Sequence, residues 1–173
     1  MPPAEAAGFT LLLGAIAGLN ATLWIVPEQG PQSFGVALAL AGLSALIFSL
    51  SLLPAWLGMA GTLMVLSRGA FDKSKAPSVA AASLFPGFLA AAAFLSGVAR
   101  YVLTGLERPL ALLQLGLLAL AVIAIPVALY KELRREPALS DRISVLLGAA
   151  TVVALLLGGL GVVLGSTVLG GIP

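Results

Sequence analysis

Apolar residues in this chain come in long blocks and show neither strand-like alternation nor a single helical stripe. Clusters of charge, proline and glycine separate the blocks. A block of about 20 apolar residues matches one helical crossing of a bilayer's hydrocarbon core. A helix that is apolar all round needs lipid or protein on every side. The spans predicted this way cover 6–26, 34–53, 78–98, 109–130 and 143–169, with 55–67 as a short added piece. The fold class is therefore an all-α integral membrane protein, a bundle of five transmembrane helices forming one multi-pass domain over 1–173. The first block resembles a signal peptide in position only. It lacks a basic leader, carries Glu5 and runs on to Pro27, so it is read as a retained helix.

The second block raises a question of its own. It holds 34 residues without a charge, Phe34 to Ser67, and includes SLSLLPAWLGMAG. As one helix it would be about 51 Å long, against a hydrocarbon core of about 30 Å. The piece after Pro54 would reach only about 20 Å, too short to cross. Proline removes a helix hydrogen bond and crowds the preceding turn, so Pro54 is the expected break or kink. Two forms stay open: one long kinked helix, or a span to Leu53 followed by a re-entrant piece. Trp56 beside the break suits a membrane–water interface. Pro86 and Pro126 are further expected helix breaks, and Pro86-Gly87 is a candidate hinge.

Composition supports the bilayer reading. Hydrophobic residues make up 60% of the chain and charged ones 9%, where soluble domains carry about 25%. The chain has no cysteine and no histidine. That removes disulfides, thiolate chemistry, iron–sulfur clusters, the usual zinc sites and histidine-ligated haem. No cofactor or metal is expected, and no nucleic-acid partner, since the basic residues lie between apolar runs.

The same basic residues give an orientation. Arg68, Lys73 and Lys75 share one loop, and Lys131, Arg134, Arg135 and Arg142 another. Two spans separate these loops, so both face one side, which the positive-inside rule makes cytoplasmic. With five crossings the N-terminus is cytoplasmic too. Cysteines placed at Ser33 and Thr104 should then label from outside, and those at Ser74 and Ser140 should not.

All sixteen charged residues fall at span ends, in loops or at the N-terminus. Proton relays and ion-coupled transport normally use charges inside the membrane, so that class is disfavoured. The interior polar residues are Asn20 and Gln114, read as an interhelical hydrogen bond or as part of a polar path. Small residues four apart (Gly14 and Gly18; Ala37, Ala41 and Ala45; Gly161 and Gly165) share helix faces and predict close helix packing. The mixed charges of 131–142 fit a solvated loop better than a catalytic Mg²⁺ site. No catalytic residue is assigned. The residues carry no family resemblance. The expected function is a non-catalytic subunit of a larger membrane complex, with an energy-converting (respiratory) complex as the candidate assembly and the lipid bilayer and other membrane subunits as partners. The alternative is a small homo-oligomeric transporter or channel with proline-broken helices.

Overall fold

A computed structural model describes residues 2–28, 34–69, 72, 74–103 and 105–170 of the chain. Among them are α1 (Pro3–Glu28), α2 (Phe34–Leu66), α3 (Ala76–Ser83), α4 (Leu89–Val102), α5 (Glu107–Leu133) and α6 (Ile143–Gly170), with 3-10 turns at Phe85–Phe88 and Pro137–Arg142. The described residues contain no strand. Five segments are long and apolar enough to cross a membrane: Pro3–Trp24, Gly35–Leu66, Ala76–Val102, Glu107–Leu133 and Pro137–Gly165. Ser33, Lys73 and Thr104 lie outside the described residues.

The helices overrun the expected spans by a few residues because their polar ends are still helical. α5 begins at Glu107, two residues before Pro109. Pro109 thus sits in the first turn, where its missing N–H costs no helix bond. Glu107 reaches back to accept the Gly105 N–H at 2.9 Å.

α2 runs unbroken from Phe34 to Leu66 with Pro54 inside it. Of the two forms left open by the sequence, the helix separated at Pro54 with a re-entrant 55–67 is corrected. The reason is packing. Ala55, Trp56, Met59, Ala60 and Leu63 are buried at helical spacing in one cluster with residues of α3, α5 and α6. Close packing of these side chains holds the helix together across one lost backbone bond. Trp56 is 7% exposed, and its Nε1–H donates to the Pro77 carbonyl at 3.0 Å. Pro126 also stands inside a continuous helix. Pro86 differs. It cannot donate to the Ala82 carbonyl, and here the third segment tightens into the 3-10 turn between α3 and α4.

Packing follows the order α6–α2–α1–α4–α5, with α3 wedged among α1, α2 and α5. α6 leans mainly on α2 and meets α5 only slightly, so the bundle is an open ring with its gap between α5 and α6. The well-packed core lies at one end, around Met59, Leu63, Leu133, Leu139 and Leu146. The two basic loops meet at that end. Lys75 Nζ lies 2.9 Å from Glu136 Oε1, and Arg142 Nη1 donates to the Ser67 carbonyl at 3.2 Å. The first loop reverses the chain through Arg68 (φ 49) and Gly69 (φ 82).

Candidate functional site

α1 presents two different faces. Gly14 and Gly18 form one, turned to α2. A Cβ on Gly14 would stand 2.7 Å from the Phe48 carbonyl oxygen, and one on Gly18 2.8 Å from Ala45 Cα. Four residues forward on α1 match about four backward on α2, so the pair is antiparallel and backbone touches backbone. Ser49 closes this contact, its hydroxyl shared between the carbonyls of Ala45 (2.7 Å) and Leu11 (2.9 Å). Ala45 thus lies in the interface, while Ala37 and Ala41 on the same stripe are half-buried. Gly161 and Gly165 do the same for α6: a Cβ on either would come within 2.7 Å of Ser51 Cβ or 3.0 Å of Ile47 Cγ2. These four glycines are therefore occupied by contacts within the chain.

The other face of α1 carries Leu13, Ala17, Asn20 and Trp24 and looks into a cavity of about 550 Å³. α2, the Pro86 turn, α4, α5 and Val162 of α6 complete its walls, so it lies beside the α5–α6 gap. Among the described residues its lining is apolar apart from Asn20 and Trp24. Gly87 permits the turn to approach α1, since a Cβ there would meet Leu13 Cδ1 at 3.2 Å.

Asn20, in the wall of this cavity, meets Gln114 from 94 residues away, behind the lining. Both are buried, 2% and 0% exposed. Asn20 Nδ2 donates to the Ala90 carbonyl on α4 at 2.7 Å and to Ile16 at 3.0 Å. Gln114 Nε2 donates to Asn20 Oδ1 at 3.1 Å. Every polar site of the Asn20 amide is thereby used, and α1, α4 and α5 are tied at one point. Gln114 Oε1 is buried without a partner, which costs about 1–3 kcal/mol. Gly97 makes room for the pair, because a Cβ there would stand 2.6 Å from Gln114 Nε2.

One turn further along α1 lies a cluster that the sequence did not single out. Pro27 has no N–H, which frees the Leu23 carbonyl from its helix bond. Arg100 Nη2 donates to that carbonyl at 2.9 Å, and the Tyr101 hydroxyl donates to it as well. The guanidinium stacks 4.4 Å from the Trp24 ring centre. A carbonyl freed by proline is re-satisfied here by neighbouring side chains. The sequence signal was available in Pro27 and Arg100; their pairing was not.

Among the described residues no titratable side chain lines the cavity; Arg100 stacks on the lining residue Trp24. In 131–142 the acids are paired or scattered: Glu132 with Arg135 at 2.8 Å, and Glu136 with Lys75. They do not gather as a Mg²⁺ site would need. The Ser74 backbone N–H holds the Asp72 carboxyl below its ordinary range. The hydrogen bond that Lys75 donates to the Glu136 carboxylate raises the ammonium above its own ordinary range. Thr10, Thr22 and Ser83 bond the carbonyl four residues back, which is how isolated hydroxyls are satisfied in apolar helices.

No protein-family model matches this chain, and neither a curated protein nor a solved structure matches it.

Proposed function

We propose that the chain is a non-catalytic multi-pass subunit of a larger membrane complex. It is inserted in the cell membrane with its N-terminus and the 68–77 and 131–142 loops cytoplasmic. Five apolar segments and the meeting of the two basic loops at one end support the insertion and its direction. One observation carries the functional reading: the interior amides of Asn20 and Gln114 are bound to each other and to Ala90. A path for a polar solute needs side chains that can exchange water for solute. Here those groups hold helices together, and the remaining lining is apolar. The glycine faces are used inside the chain, so partners would meet the exposed apolar faces of α5 and α6, such as Leu112, Ile123, Leu156 and Val163.

The competing reading is a small homo-oligomeric transporter for an apolar substrate. The cavity of about 550 Å³ beside the α5–α6 gap favours it. The two readings separate on Asn20→Leu and Gln114→Leu. For a subunit, either variant leaves the size of the purified assembly unchanged; Gln114→Leu removes one bond, at the ~0.6 kcal/mol of an average membrane hydrogen bond, and Asn20→Leu, which removes three, costs more. Normal assembly with abolished flux in vesicles would contradict the subunit reading.

A further inference from the structure

A second hollow, outside the Asn20 cavity, runs along α3 and α5 towards the basic end. Its outer part, about 480 Å³, is floored by Phe9, Phe85, Pro86 and Ala128 and rimmed by Lys131 and Glu132. A smaller part, about 280 Å³, continues it to Lys75, sharing Ala82 and Glu132. The groove is thus polar at one end and apolar at the other. The wall at its apolar end is aromatic. Phe9 and Phe85 each stack edge-on against Phe88 at 5.4 Å, and Phe85 stays 62% exposed. That exposure follows from the Pro86 turn, which swings Phe85 out of the helical path.

The charges at the rim are not equivalent. Lys75 is paired with Glu136, and Glu132 with Arg135. Lys131 is exposed and belongs to no ion pair found among the described residues. Arg134 and Arg142 are further basic residues of the same segment. A cation above an apolar groove matches a phosphate above acyl chains, and basic pockets between helices at the cytoplasmic side bind anionic headgroups.

We propose that this groove binds an anionic glycerophospholipid, with the phosphate at Lys131 and an acyl chain along Ala128, Pro86 and Phe85. The proposal rests on insertion of the bundle in a bilayer and is independent of the subunit reading. One basic residue near the surface is worth enough to favour the anionic lipid about fivefold.

The test places a reporter in the groove. The Phe85→Trp protein is reconstituted in phosphatidylcholine vesicles with chain-brominated phosphatidylglycerol or chain-brominated phosphatidylcholine. Quenching beyond that of the unaltered protein reports lipid at position 85. The expected result is roughly fivefold stronger apparent binding of phosphatidylglycerol. Adding Lys131→Gln should abolish the preference, and adding Glu132→Gln should strengthen it. Equal quenching by the two lipids would overturn the proposal, as would a preference that survives Lys131→Gln. Loss of the preference in Glu132→Gln would also overturn it, because charge would then not be the cause.

Discussion

Asn20 and Gln114 stand out in the sequence because each is a lone amide in an apolar run. Their bond does not stand out, since nothing local links two residues 94 apart. Gly97 was less legible still: one glycine among many, it matters only because Gln114 lies against it. The paired glycines were readable as packing faces from their spacing, though not as to which helix each meets. The structure ranks glycines in a way that can be measured. Gly18→Ala drives a methyl into the α2 backbone and should lower stability by about 1–3 kcal/mol. Gly116→Ala meets nothing within 4 Å and should be neutral or stabilising by up to about 1 kcal/mol. Thermal unfolding in detergent, followed by Trp fluorescence, compares the two. Equal losses would mean that the α1–α2 contact is not close.

At the scale of elements, three prolines in apolar segments have two outcomes. Pro54 and Pro126 sit within continuous helices, and Pro86 within a 3-10 turn. The local sequences SLLPAWL, AIAIPVAL and SLFPGFL contain a partial cue, because only Pro86 is followed by glycine. The rest is decided by tertiary contacts: residues 55–63 are fastened by the core at their end of the bundle, and the Pro86 turn seats Gly87 against Leu13. Opposite effects of substitution are expected. Pro54→Ala restores a helix donor without moving a packed side chain, so the thermal midpoint should hold or rise. Pro86→Ala favours a regular helix, which would shift Gly87 and Ala90 away from α1. It should destabilise by about 1–3 kcal/mol, the range for forced repacking. A midpoint unchanged by Pro86→Ala would show that the turn is not needed to join α1 to α4.

At the scale of the whole molecule, the five apolar segments and their helical state were legible because block length and charge placement define them. The ring order, the α5–α6 gap and the cavity were not, since they depend on which faces meet. The shared end of the two basic loops was read from charge alone, and Lys75–Glu136 and Arg142–Ser67 join those loops in the structure. Orientation can be tested cleanly in a chain without cysteine. Single cysteines at Ser33 and Thr104 should react with an impermeant thiol reagent added outside, and those at Ser74 and Ser140 should not; the reverse pattern would invert the topology. The central claim concerns partners. Its most direct test is gentle extraction from native membranes, followed by the mass and composition of the purified particle. The account predicts other membrane proteins in fixed stoichiometry with this chain. A stable particle made of this chain alone would contradict it and favour the transporter.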